Sequence, residues 1–424
     1  MSLFNQIRQS QLFKVSSLNS FSVLLKIGIG LITSKVLAVF VGPSGLALVG
    51  NMRNFVSLFE SFATLGFQNG IIRYVASNKD DKDKLASFIS TALIVLIGLA
   101  FLLSLLLFFG ADFVTSLLFE SGSIYSVAIT VFAITLPFHS ISIFLISVLN
   151  GLGKYQKVIY TTIIGNLLGL FFTVFLVTRL YTLGALLAIV ITPALLFGVT
   201  LYFLNKEIKL LQLIKFQFFN WNNLNHLYSF TVMALFTAIV SPLVFLILRN
   251  YIIDTIGLSE AGYWEAMSRI ATYYFMFLST LLTVYFLPKL SEAVSIDQTK
   301  SVFQKYYKTI FPVFVLVLFV IYFLRFFIIK LLFTDEFLPV SDLFIWQLLG
   351  DLFKAASVIL GYEFFAKKLT KAYLITESLS FGLLLSSSYF LIPKFGIEGV
   401  VMSHSLTYAL YFLVLLVYFR KSLV

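Results

Sequence analysis

Apolar residues run along this chain in blocks too long for ordinary water-soluble elements. Twelve stretches, at roughly 19–41, 45–74, 85–110, 123–149, 156–178, 183–204, 226–253, 260–287, 308–331, 339–366, 371–392 and 396–419, are predominantly apolar. A helix of about 20 residues crosses the ~30 Å hydrocarbon layer of a bilayer. The pattern therefore predicts an all-α membrane protein with about twelve transmembrane helices. Continuous runs, rather than alternating segments of about ten residues, argue against a closed β-barrel. The polar connections are short. The longest, NKEIKLLQLIKFQFFNWNNLN at Asn205–Asn225, is basic and amphipathic and is expected to lie along the membrane surface. The polar opening, MSLFNQIRQSQLFKVSSLNS, lacks the early apolar core and small-residue cleavage site of a signal peptide, so it reads as an uncleaved interfacial segment. The expected organisation is a six-helix lobe at 1–204, the linker at 205–225 and a second six-helix lobe at 226–424.

Composition agrees with that reading. Of 424 residues, 60% are hydrophobic and 12% charged, with a mean hydropathy of +0.99. Soluble domains run about 45–50% apolar and about 25% charged. A soluble enzyme, a secreted disulfide scaffold and a free nucleic-acid binder are excluded on that basis. Cysteine is absent, which removes thiolate catalysis, Cys-ligated metals and disulfides. The three histidines, His139, His226 and His404, are far apart in sequence. No metal site or cofactor is expected.

The net charge of +11 is explained by where the basic residues fall. With the N-terminus in the cytoplasm, twenty of the thirty Lys and Arg residues lie in inner segments, among them Lys154, Lys157, Lys206, Lys367, Lys368 and Lys371. Four, Arg179, Arg325, Lys330 and Lys394, lie outside. The bias satisfies the positive-inside rule and puts both termini in the cytoplasm. It also makes anionic membrane lipids natural partners.

Six basic residues remain inside the spans: Lys26, Lys35, Arg53, Arg249, Arg269 and Lys354. A charge at the bilayer centre costs at least about 2.5–3.5 kcal/mol, so these are expected to face protein or a wet cavity. Lys26 can instead snorkel to the inner interface, and Arg249 to the outer one. Arg269 follows Glu265 at i,i+4, the favourable order for a helical ion pair. Asp351 and Lys354 stand at i,i+3, where a structural ion pair is the plain reading. Lys35 and Arg53 have no acid closer along the helix than Glu60 and are the leading candidates for cavity cations. The remaining interior acids, Glu60, Glu363 and Glu377, are candidates for proton or ion coupling; Glu60 and Glu377 have no charged residue one turn away, and Glu363 has Lys367 at i+4. His139 and His404 are read as interhelical hydrogen-bonding residues, and Tyr273 or Tyr274 could line a sugar path.

The halves also repeat weakly. SFSV at 20–23 recurs as SFTV at 229–232, and Gly184, Thr192, Ala194 and Leu195 recur as Gly399, Thr407, Ala409 and Leu410 at a constant spacing. Six helices per half make such a pair a parallel repeat.

Longer segments carry a family likeness. KIGIGLITSKVLAVFVGPSGLALVGNMRNF (Lys26–Phe55), GFQNGIIRYVAS (Gly66–Ser77), SFTVMALFTAIVSPLVFLILRNYI (Ser229–Ile252) and WQLLGDLFKAASVILGYEFFAK (Trp346–Lys367) resemble Wzx-type O-antigen and enterobacterial common antigen flippases. These belong to the multidrug/oligosaccharidyl-lipid/polysaccharide (MOP) exporter superfamily. The resemblance implies two six-helix lobes in a V around a cationic cavity. It implies transfer of an undecaprenyl-diphosphate-linked oligosaccharide from the cytoplasmic to the periplasmic leaflet of a bacterial inner membrane, without enzyme chemistry. Polysaccharide polymerase and chain-length machinery are the protein partners it implies. Lys26, Lys35, Arg53, Arg249, Asp351, Lys354 and Glu377 fall where that pattern has the same residue types; Arg269 departs from it. Coupling to H+ or Na+ and driving by the membrane potential both stay open. So do two other functions, a MATE-like drug antiporter and a membrane-embedded glycan-processing enzyme.

Overall fold

The computed structural model describes residues 11–119, 124–208, 216–221 and 232–423. They form helices α1 (Gln11–Phe40), α2 (Gly42–Thr64), α3 (Gln68–Asn78), α4 (Lys82–Phe109), α5 (Ala111–Leu118), α6 (Ser126–Gly151) and α7 (Tyr155–Asn205). The second half follows with α8 (Val232–Thr255), α9 (Leu258–Glu292), α10 (Ile296–Phe323), α11 (Arg325–Leu332), α12 (Val340–Ala366), α13 (Thr370–Phe395) and α14 (Glu398–Tyr418). Ten helices among the described residues are long and apolar enough to cross a membrane. One of them, α7, has 51 residues, long enough for two crossings, and α2 has 23 residues.

The reversal inside α7 is visible in its contacts. A straight helix of that length would part its ends by about 75 Å. Instead Lys154, just before its first residue, lies 2.6 Å from Glu207, just past its last, and Lys157 also pairs with Glu207. The two lysines hold the Glu207 carboxyl below the usual carboxylate range. The turn is at Tyr181, whose backbone sits at φ 51, ψ −125, inside the gap expected between spans 156–178 and 183–204.

That turn reveals the register of the internal repeat. Adding 215 to Tyr181 gives Gly396, at φ 59, ψ −140. The same step takes Gly42 (φ 67) to Gly257 (φ 125) and Gly153 (φ 73) to Lys368 (φ 55). Gly184 backs onto the Leu176 carbonyl and Gly399 onto that of Leu391, again at the same step. Thus the spacing of the Gly184–Leu195 set is the structural one. The SFSV/SFTV spacing matches none of these turns, and residues 229–231 lie outside the described ones. Tyr181 carries a side chain where its counterpart is glycine, a conformation that costs a non-glycine residue about 1–3 kcal/mol. Tyr181→Gly is expected to stabilise the protein by about 1 kcal/mol after the extra chain entropy of glycine is subtracted, read as a higher thermal midpoint in detergent.

Two expected spans are redrawn. The stretch 45–74 breaks at Leu65 (φ 50) and Gly66 (φ 61), where left-handed residues end α2 and begin the separate α3. The stretch 308–331 is divided differently: α10 starts earlier, at Ile296 behind a Ser295/Gln298 capping box, and stops at Phe323. Arg325 at the head of α11 donates to the Tyr322 carbonyl (2.9 Å) and lies over the Tyr322 and Phe326 rings, satisfying a carbonyl the helix end leaves open.

The chain divides into two compact units. One holds Gly42–Gly50 with Leu243–Val424; the other holds the remainder. In the first-half unit, α6 packs on α4 and α7 around Phe88, Phe144, Leu145 and Val148. Part of the expected surface linker is docked there: Ser87 Oγ donates to the Phe218 carbonyl (2.9 Å), and the Asn220 N–H donates to Thr91 Oγ1 (3.0 Å). The rest of the linker call, residues 209–215 and 222–225, lies outside the described residues, as do residues 1–10 and His226. In the second-half unit, α12 packs along α14.

Candidate functional site

Three polar clusters interrupt this apolar framework, and two belong to the second-half unit. On α12, Gln347, Asp351 and Lys354 follow at i, i+4, i+7 and share one face. On α14, His404, Tyr408 and Tyr411 have the same spacing. The helices meet closely at Gly350: a Cβ there would stand 2.3 Å from His404 Cδ2 and 2.9 Å from Ser405 Cα. Only a residue without a side chain allows that approach, and it brings the two polar faces together.

Asp351, fully buried, is the hub. The Tyr274 hydroxyl of α9 donates to Oδ2, and Gln347 Nε2 donates to the same oxygen at 3.0 Å. His404 Nε2 lies 2.9 Å from Oδ1. A carboxylate only accepts, so this contact assigns the imidazole proton to Nε2. The carboxylate is thereby satisfied from three helices, as a buried charge requires.

The Asp351–Lys354 ion pair allowed by their spacing is not made. Asp351 is turned toward Tyr274, Gln347 and His404. The Lys354 ammonium lies 4.7 Å from the Phe275 ring centroid and 5.2 Å from that of Tyr408. Among the described residues no carboxylate oxygen comes within the 4.0 Å of a salt bridge. Further along α13 and α14, Tyr411 donates to Glu377 at 2.8 Å. Glu363 is buried near the end of α12, its Oε2 without a hydrogen-bond partner among the described residues.

The second cluster gathers Arg249, Glu265 and Arg269, all at least nine-tenths buried. Arg249 Nη2 lies 2.8 Å from Glu265 Oε2, and Arg269 Nε lies 3.1 Å from Glu265 Oε1. The helical pair read from the sequence is joined by a second guanidinium from α8, which also faces the Trp264 ring at 5.2 Å. Gly50 packs directly on this pair, where a Cβ would stand 2.6 Å from Glu265 Oε2. Arg249 and Arg269 thus share one carboxylate.

In the first-half unit, Glu60 Oε2 lies 3.6 Å from His139 Nε2. Lys26 and Arg53 are exposed and Lys35 half-buried, so none of the three is locked in that unit's core. Lys35 and Arg53 are not without partners.

A cavity of about 360 Å³ opens beside the Asp351 hub, wholly within the second-half unit. Trp264, Ser268 and Phe275 of α9 line it together with Gln347, Lys354 and His404. Its volume lies at the lower end of small-ligand pockets, about 300–1,000 Å³. Neither it nor the roles of Gln347, Tyr274 and Tyr408 follow from residue spacing along one helix. The aligned i, i+4, i+7 polar triplets on α12 and α14 were the available signal.

A long-helix membrane architecture with an internal repeat and a buried polar centre defines a multi-pass transporter-like protein. The chain belongs to the polysaccharide biosynthesis protein family, whose signature matches residues 12–294. It is similar to the lipid III flippases of Escherichia coli (strain K12) and Shigella flexneri, each 29% identical over 406 residues spanning 95% of this chain and 96% of the relative. Its fold is that of solved MOP-superfamily structures. An inward-facing multidrug resistance MATE transporter superposes with TM-score 0.74 at 14% identity, covering 95% of this chain and 94% of that one. The lipid II flippase MurJ, inward closed, superposes with TM-score 0.74 at 16% identity, covering 96% and 87%.

Proposed function

We propose that the protein is a flippase. It moves an undecaprenyl-diphosphate-linked oligosaccharide, an O-antigen or related surface-glycan repeat unit, from the cytoplasmic to the periplasmic leaflet of a bacterial inner membrane. The observation that carries this reading is the end-to-end likeness to relatives named lipid III flippase. Likeness to drug transporters is one of fold, at 13–16% identity.

The chemistry of the cargo fits the residues. A bare diphosphate entering hydrocarbon faces a desolvation cost of tens of kcal/mol. Lys and Arg replace its water with charge-assisted hydrogen bonds, and Arg can grip two phosphate oxygens at once. The polyprenyl tail stays in lipid while the head group is passed along the cations and exposed alternately to the two sides. An inside-negative potential favours outward movement of an anion by about 2.3 kcal/mol per charge per 100 mV, and the interior carboxylates Glu60, Glu363 and Glu377 are candidates for coupling H+ or Na+. Polymerase and chain-length proteins would take over the delivered unit.

Lys35→Ala and Arg53→Ala are each expected to lower glycan delivery at least about tenfold, the loss of one charged hydrogen bond, with protein level unchanged. The assay is complementation of a strain lacking its own translocase, scored by surface polysaccharide and by lipid-linked intermediate retained inside. Full delivery by both variants would remove these two residues from the path.

A further inference from the structure

Resting on the flippase reading, we infer that the cavity beside Asp351 is a phosphate subsite and that Lys354 is its gripping cation, with Ser268 and Gln347 as neutral donors. Its ligand class is a polyprenyl diphosphate, whose phosphates meet the ammonium while the remaining space receives the first sugar.

Arg249, Arg269 and Lys354 are buried or half-buried cations of one unit with different surroundings. Arg249 and Arg269 face Glu265 at 2.8 and 3.1 Å, so a ligand anion would have to compete with a carboxylate already in place. Lys354 has a different environment. The rings of Phe275 and Tyr408 hold it at 4.7 and 5.2 Å. Aromatic faces stabilise an ammonium without neutralising it. The nearest carboxylate on its own helix, Asp351, already accepts from Tyr274, Gln347 and His404. Glu377 also acts on Lys354 but accepts from Tyr411, and the Tyr408 hydroxyl is a neutral partner, so the ammonium has no carboxylate in salt-bridge contact and can meet a ligand that brings its own negative charge.

The cavity geometry agrees. Lys354 is the one Lys or Arg in the lining of the 360 Å³ cavity. No carboxylate shares that lining, so no fixed anion repels phosphate. The hydroxyls of Thr272 and Ser279 donate to carbonyls of their own helix. Gln347 Nε2, by contrast, gives one hydrogen to Asp351 at 3.0 Å, and its 3.2 Å contact with His404 Nε2 takes no second one, because that nitrogen carries the proton given to Asp351. Asp351 therefore acts as a positioning residue: it orients the amide and imidazole of two lining residues and does not touch the ligand.

The test uses the full-length protein in detergent with Trp221→Phe and Trp346→Phe, which leaves Trp264 in the cavity wall as the fluorescent reporter. The probes are farnesyl diphosphate, inorganic pyrophosphate and farnesol. Farnesyl diphosphate and pyrophosphate are expected to change Trp264 emission saturably, and farnesol is not. Lys354→Gln should weaken farnesyl diphosphate about 10- to 100-fold, the worth of a charged hydrogen bond, and Lys354→Arg should restore most of the affinity. Ser268→Asp, which adds a carboxylate to the lining with Lys354 intact, should weaken it comparably. Each variant is first shown to keep the parent's elution volume and melting temperature. Binding unchanged in Lys354→Gln, or a wild-type protein blind to both phosphates, would overturn the subsite. If that result came with normal complementation, the flippase reading would stand alone. Lys354-dependent binding without complementation would leave the anion subsite and remove the flippase reading.

Discussion

Glu265→Ala is expected to produce a protein that barely accumulates in the membrane. Glu265 is the carboxylate facing two buried guanidiniums at 2.8 and 3.1 Å, and its removal leaves adjacent positive charges on α8 and α9 with little water to receive them. Breaking a buried pair from one side costs about 3–5 kcal/mol, a large part of the stability of a typical domain. The cost should fall when one guanidinium is removed as well. Glu265→Ala with Arg249→Met is expected to recover part of the lost thermal stability, measured on purified protein in detergent. Equal stability of Glu265→Ala and the parent would show that the arginines find other anions.

The second large effect belongs to Asp351. Its carboxylate is the common acceptor for the Tyr274 hydroxyl, the Gln347 amide and the His404 imidazole. Asp351→Ala leaves three buried donors open, each worth about 1–3 kcal/mol, so a fall of about 3 kcal/mol or more is expected. Asp351→Asn should be milder. The asparagine keeps one acceptor oxygen, and its amide can donate to His404 Nε2 once the imidazole proton moves to Nδ1. The expected order of thermal midpoints is parent, Asn, Ala. A reversed order would mean that the hub is not held by its acceptor role.

The sequence made much of this legible where the signal is local. Apolar block length located most of the long helices, and the polar gap at 179–182 marked the reversal that the structure places at Tyr181. The constant spacing from Gly184 to Gly399 is the register of the repeat. The ion pair of Glu265 with Arg269 follows from one helical turn. Local signals were insufficient elsewhere. Leu65 adopts a left-handed conformation that leucine does not advertise, so the end of α2 was hidden in a continuous apolar run. Arg249 joins Glu265 from a different helix, and the partners of Asp351 lie 77 and 53 residues away. Such pairings depend on which helix faces meet, which periodicity along a single helix does not specify.

Lys354 illustrates the same point with functional consequence. Its spacing to Asp351 suggests neutralisation, whereas the fold turns the acid away and leaves the ammonium between aromatic rings at a cavity wall.

The most direct test of the account is translocation itself. The purified protein is reconstituted in liposomes carrying an undecaprenyl-diphosphate-linked oligosaccharide, and glycan exposure is followed with a membrane-impermeant glycosidase. Protein-dependent movement of the glycan between leaflets is the predicted result. Liposomes that retain the glycan on its original side while the same protein exports a cationic dye would contradict it.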